Sequence, residues 1–255
     1  MTSPSKPHYR FFQTESSNEE NSRILDADHN DVEYEILYFQ ISCVGATSRS
    51  ILAYGKAKWT NRFPQEWEGN EEFETPFRAM PILTVQSVRG QAKLAESFVI
   101  DLYLAKKFGL LGSNSYEEAT IQAFYSSIHY LRERSLMTMT WVDADKRLEA
   151  FQMWTTKVIP RFIKIQEQHL ERNGSNGHFF GDKITLADIH LVGVLDHFAE
   201  LPRGDEIINL FRQSPLLWKV RETVLTNPDI AAWRQSEEFA KVVEGGKKLY
   251  STAGF

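Results

Sequence analysis

The segment from Thr75 to Leu104, TPFRAMPILTVQSVRGQAKLAESFVIDLYL, constrains this chain more than any other. It reads as a loop ending in Met80-Pro81, a strand over 82–86, a tight turn around Arg89-Gly90, and a second strand over 91–95. The acidic-hydroxyl pair Glu96-Ser97 then opens an amphipathic helix over 97–108. So short a turn makes the two strands antiparallel. Upstream, 34–40 (YEILYFQ) suits a buried strand, 48–56 carries helical apolar spacing, and 59–61 suits a second short strand. A helix crossing between those two strands makes them parallel. Residues 63–77 mix Pro, Gly and acid, and read as a surface loop with one helical turn. The sum is a mixed four-stranded sheet with helices on it.

Beyond 109–115 the strand signals fade. Residues 116–139, 144–172, 185–200 and 215–227 have apolar residues at three- and four-residue spacing, so the rest is expected to be all-helical. The expected organisation is a flexible acidic tail over 1–32, an α/β domain over 33–109 and an all-α domain over 116–255. Thr185 and Asp188 stand at the two positions of a capping box, opening the helix at 185–200.

Composition excludes several functions. The net charge is −5 with no basic stripe, which argues against nucleic acid and anionic lipid as partners. No apolar run approaches the roughly 18 residues a membrane span needs. Cys43 is the single cysteine, so no intramolecular disulfide and no cysteine-built zinc site is expected within one chain. A reducing, cytoplasmic location follows as the expectation. Glu15, Glu19, Glu20, Asp26, Asp28 and Asp31 make the N-terminal stretch too acidic for a mitochondrial leader. His190 and His197 lie on one helix face without a further ligand nearby in sequence, so no metal site is expected.

Several pieces, taken in order, resemble one family. They are YEILYF at 34–39, PFRAMPIL at 76–83, ESFVIDLYL at 96–104, FGLLG at 108–112, FGDKITLADI at 180–189 and PDIAAW at 228–233. Over roughly 34–235 the chain resembles cytosolic glutathione transferases, nearest to the sigma-like, tyrosine-type class. The resemblance implies a thioredoxin-like N-terminal domain. It also implies glutathione as co-substrate rather than a prosthetic group, a small hydrophobic electrophile as the second substrate, and a homodimer.

The resemblance also implies roles by position. Pro81 matches a cis-proline that turns the backbone of Met80 towards an extended peptide such as glutathione. Glu96 and Ser97 match the pair that holds the γ-glutamyl end, where a helix N-terminus favours a carboxylate. Tyr38 matches the tyrosine that hydrogen-bonds the sulfur. A thiol titrates near pH 8.5, and lowering that by two units takes about 2.7 kcal/mol, within reach of one charge-assisted hydrogen bond and local dipoles. Ser42 is the competitor: it stands seven residues before Arg49, the spacing of serine-type classes, and Cys43 ranks third. Ile41, Val44 and Phe124 are the candidates for the electrophile pocket.

Four positions depart from the pattern. Val44 stands where sigma-like members carry an arginine, and Glu72 and Ala79 stand where two lysines face the glycine carboxylate. Arg78, or Trp67 through its indole N–H, is the substitute. Gln122 replaces an acid that the partner subunit lends. This loss of cations motivates a second reading, a non-catalytic binding or scaffold protein of the same fold. Glutathione-dependent isomerase or peroxidase activity is a third.

Overall fold

The computed structural model describes residues 18–251. Residues 1–17 of the acidic stretch 1–32, and residues 252–255, lie outside the described residues. Helix α1 (Asn18–Asp26) and a 3-10 turn (His29–Asp31) lead into β1 (Val32–Leu37). A further 3-10 turn (Cys43–Gly45) precedes α2 (Ala46–Tyr54), followed by β2 (Trp59–Arg62), β3 (Ile82–Ser87), β4 (Gly90–Ala95) and α3 (Ser97–Lys107). The remainder is helical: α4 (Ser115–Ser135), α5 (Arg147–Met153), α6 (Ile159–Arg172), α7 (Leu186–Glu200), α8 (Gly204–Arg212), α9 (Pro215–Leu225), α10 (Pro228–Arg234) and α11 (Glu237–Ser251).

The chain divides into two compact units, one from its start to Phe39 with Ala57–Ile100, the other Gln40–Lys56 with Asp101–Phe255. In the first unit the sheet runs β2-β1-β3-β4, with β1 parallel to β2 and antiparallel to β3, and β3 antiparallel to β4. This is the mixed four-stranded, thioredoxin-like sheet that the strand order of the sequence implies. Gly90, at φ 128, closes the β3–β4 hairpin in a backbone region closed to other residues. Helix α1 was not expected from its composition, since Ile24 and Leu25 are its only large apolar residues. It packs on β3 and β4 and buries Ile24 to 1% exposure, so docking rather than its own periodicity accounts for it.

In the second unit α7 is the central helix, its residues Leu186 to Leu195 all buried, and it packs against α2, α4, α8, α9 and α11. The capping box forms. Both oxygens of buried Asp188 are used: one accepts from the Thr185 N–H at 2.7 Å and hydroxyl at 2.8 Å, the other from the Phe179 N–H at 2.8 Å. Two expected helices are interrupted. Residues 144–172 form a 3-10 turn, α5, a π-helical turn (Trp154–Val158) and α6, and α4 passes into a second π-helical turn (Leu136–Thr140). Pro160 explains the first interruption: it has no N–H and its ring crowds the carbonyl of the preceding turn, so the helix widens just before it. Helices α8 and α11 lie outside the four expected helical segments, and bury Ile207 and Phe211, and Val242 and Tyr250.

Candidate active site

Register builds the site. Leu37 of β1 pairs with Ile82 of β3, and Ile82 pairs with Ala95 of β4. Tyr38, Pro81 and Glu96 are therefore the next residues off the same end of three adjacent strands. Leu37, Ile82 and Ala95 form a small buried cluster with Met80 packed against it, which anchors that end. Tyr38 is buried, and its N–H donates to the carbonyl of Arg62 at the end of β2 (3.2 Å). The Met80-Pro81 bond is cis. Glu96 has φ 71, a left-handed conformation uncommon outside glycine, and its carbonyl accepts from the Ile100 N–H at 2.9 Å as α3 begins. Ser97 is the first residue of α3.

The loop between β2 and β3 borders the same unit. Trp67 meets Phe39 edge-on with ring centres 5.8 Å apart, and Phe39 meets Tyr38 at 5.8 Å. Between Phe63 and Pro81 the chain carries five glutamates and one cation, Arg78. Arg78 is exposed, has φ 51, and holds its guanidinium 4.7 Å from the centre of the Phe73 ring. Glu72 accepts from the Gly69 N–H at 3.1 Å, and Ala79 is exposed.

The remaining candidates lie in the helical unit. Ser42 is 1% exposed, its hydroxyl donates to one oxygen of Glu200, and its N–H donates to the other at 3.2 Å. Burial pushes the Glu200 carboxyl up to about 8, against the lowering by Ser42's hydrogen bonds. Cys43 is buried and has φ 31. The Ile41 carbonyl accepts from buried Arg49 at 2.6 Å, and Val44 stands in the turn that packs on α2 and α7. Phe124 lies on α4. It stacks on Phe179 at 5.4 Å, meets His169 edge-on at 5.3 Å, and borders a groove of about 450 Å³ between α4 and α6. Gln122 bonds Glu118 on its own helix at 3.0 Å. Among the described residues, no group of three or more His, Cys, Asp or Glu is placed to hold a metal ion.

Comparison with known proteins finds relatives along most of the chain. Residues 129–237 match the model of the glutathione S-transferase C-terminal domain. A glutathione S-transferase of Anopheles gambiae is 26% identical over 205 residues, covering 79% of this chain and 95% of the relative. Glutathione S-transferase 2 of Manduca sexta is 29% identical over 189 residues, covering 73% and 88%. The chain is thus similar to glutathione S-transferases over most of its length, and to their C-terminal domain over 129–237. Its fold also matches the solved structure of prostaglandin synthase D of Nilaparvata lugens, with TM-score 0.70 over 80% of this chain and 98% of that one, at 21% identity. That last likeness is one of fold.

The sheet end unites Tyr38, Met80, Pro81, Glu96 and Ser97, which stand on separate motifs of the sequence. Glu200 is the residue that sequence reasoning missed. It lies 158 positions from Ser42, and a glutamate ending a long helix reads as a solvent-facing residue. No local signal marks it; only the packing of α7 does.

Proposed function

We propose that this chain is a glutathione transferase that binds reduced glutathione at the sheet end and favours its thiolate through Tyr38. The thiolate then adds to a small hydrophobic electrophile. The observation that carries this reading is the strand register, which sets Tyr38, Met80-Pro81 and Glu96-Ser97 side by side. The left-handed backbone of Glu96 supports it further. A non-glycine conformation of that kind costs about 1–3 kcal/mol and persists where the surroundings impose it, most often at ligand sites. The first turn of α3 offers backbone N–H groups and the positive end of a helix dipole to the γ-glutamyl carboxylate. The Met80 backbone would pair with the extended peptide, and Trp67 or Arg78 would meet the glycine carboxylate.

In this reading the thiol proton leaves to solvent, and the phenol of Tyr38 donates a hydrogen bond to the sulfur anion. The sulfur lone pair forms the new C–S bond, and with a chloronitroaromatic substrate chloride departs with its bonding pair. Ser42 is the weaker candidate for the same task because its hydroxyl is already committed to Glu200. Ile41, Val44 and Phe124 are proposed as contacts of the electrophile. A cytoplasmic homodimer is the proposed working form, checked by sedimentation at twice the chain mass.

Conjugation of a chloronitroaromatic tests the assignment. Tyr38→Phe is expected to retain glutathione binding by calorimetry and to lose most of kcat/KM; full activity in that variant would transfer the role to another residue. Wild-type protein that gives no heat with millimolar glutathione would remove the enzyme reading and leave the binding-protein alternative, which the acidic loop between Phe63 and Pro81 favours.

A further inference from the structure

The connection between α6 and α7 carries both Asn-Gly dipeptides of the chain, Asn173-Gly174 and Asn176-Gly177. In an asparagine followed by glycine, the backbone nitrogen of the glycine can attack the side-chain carbonyl carbon, because no Cβ hinders the approach. Ammonia leaves, a succinimide ring forms, and water opens it to aspartate or isoaspartate. The fold holds the two dipeptides differently.

At Asn173 both reacting groups are tied down. The attacking atom would be Gly174 N, whose N–H donates to the Glu171 carbonyl at 2.9 Å as α6 ends. The side-chain amide nitrogen of Asn173 donates to the carbonyls of His178 and Gly181, both at 2.9 Å. Its side-chain oxygen meets no donor among the described residues. At Asn176 the arrangement is reversed. The Gly177 N–H has no hydrogen-bond acceptor among the described residues. The Asn176 side chain forms an Asx turn, in which Oδ1 accepts from the His178 N–H at 3.0 Å. The ring closed by that bond contains both reacting atoms, Cγ of Asn176 and N of Gly177. Oδ1 also accepts from Nδ2 of Asn173 at 3.3 Å, so two donors already point at the atom on which negative charge develops. Asn176 is exposed, which admits the water that opens the ring. Gly177 has φ 92, and a Cβ there would collide with the Thr223 hydroxyl of α9, so packing itself fixes the glycine that permits attack.

We propose that Asn176-Gly177 is a site of spontaneous modification, at which the folded chain converts Asn176 to aspartate or isoaspartate by way of a succinimide. The new bond joins Gly177 N to Asn176 Cγ and the Cγ–Nδ2 bond breaks. The Gly177 N–H proton leaves with Nδ2 as ammonia, and one water is then taken up. The product changes what the loop can hold. Nδ2 of Asn176 donates to the Gly181 carbonyl at 2.7 Å, the same oxygen that Asn173 reaches. A carboxylate at 176 loses that donor and sets negative charge against the Gly181 carbonyl, ahead of the capping box that opens α7. This inference does not depend on the reaction proposed for the sheet end.

Ageing the full chain at mildly alkaline pH, once folded and once in urea, tests this by peptide mapping with mass spectrometry. In the folded chain Asn176 should convert about ten-fold faster than Asn173, since attack at Gly174 must first break a backbone hydrogen bond. In urea the two rates should agree within about three-fold, because unfolding removes the hydrogen bonds that distinguish them. The aged folded protein should lose about 2–4 °C in Tm through the Gly181 contact. Asn176→Gln, which would have to close a larger ring, should show neither the conversion nor the loss after the same ageing. Equal conversion at both asparagines in the folded chain, conversion at Asn176 in urea alone, or conversion with no more loss of Tm than aged Asn176→Gln shows would each overturn the proposal.

Discussion

The end of the sheet and the α4–α7 seam handle polar groups in opposite ways. At the sheet end, five residues from three chain segments meet where strands stop. Apart from the Tyr38 hydroxyl, the Glu96 carboxyl and the Ser97 hydroxyl, their chemistry is that of the backbone: the groups beside a cis-proline and the first turn of a helix. In the seam, Asp101 of α3, Tyr125 and Arg132 of α4, and His190 and His197 of α7 are taken out of water, and burial displaces the titration of Asp101, His190 and His197. In the proposed reading, the first arrangement meets a visiting molecule largely through backbone groups. The second ties the protonation of side chains to folding itself. Substitutions at the sheet end should therefore alter rate with little change in stability, and substitutions in and around the seam should do the reverse.

The largest expected effect breaks or upholds the first half of that contrast. In the proposed reading, Tyr38→Phe removes one hydrogen bond to the sulfur anion and should lower kcat/KM by about 100-fold, the range for loss of one charge-stabilising donor. Its Tm should stay within about 2 °C of wild type. A large drop in Tm with unchanged kcat/KM would show Tyr38 to be a packing residue.

The pH dependence sharpens the second half. Asp101 and Glu200 keep their protons to about 7 and about 8 in the folded chain, above the values they have when unfolded. The folded state therefore binds more protons than the unfolded, and stability falls as pH rises through this range, until both folded values are passed. His129, His190 and His197 act the other way below about 6.5, because their folded values are depressed and stability rises with pH there. Stability should peak near pH 6.5 and decline by on the order of 2 kcal/mol towards pH 8. Denaturant titrations of Glu200→Gln and Asp101→Asn should each show a shallower decline than wild type. A slope unchanged by either substitution would remove these carboxyls from the account.

Smaller effects separate the competing hydroxyls. Ser42→Ala strips buried Glu200 of a donor and should cost about 1–2 kcal/mol of stability. Its kcat/KM should remain within about three-fold of wild type, since the hydroxyl is expected to serve packing. A hundred-fold loss of rate in Ser42→Ala would reverse the ranking of the two residues. Thr185→Ala, at the N-terminus of α7, should cost about 1 kcal/mol by urea denaturation with no effect on rate.

Local pattern carried the sequence reading as far as it went. The β3–β4 hairpin, the start of α3 at Ser97, the capping box at Thr185 and Asp188, and the all-helical second half follow from alternation, turn residues and caps, which neighbours in the chain impose on each other. The segment Met80–Ser97 was legible for the same reason: each of its site residues stands at an element boundary that composition marks. Tertiary structure decided the rest. Register aligned Tyr38 with Pro81 and Glu96; docking on β3 and β4 made α1 a helix; and packing around α7 joined Ser42 to Glu200 across 158 positions and took Arg132, His190 and His197 out of water. The physical division lies between short-range conformational preference, which a few residues express alone, and burial, whose electrostatic cost exists only once distant helices have closed over a charge.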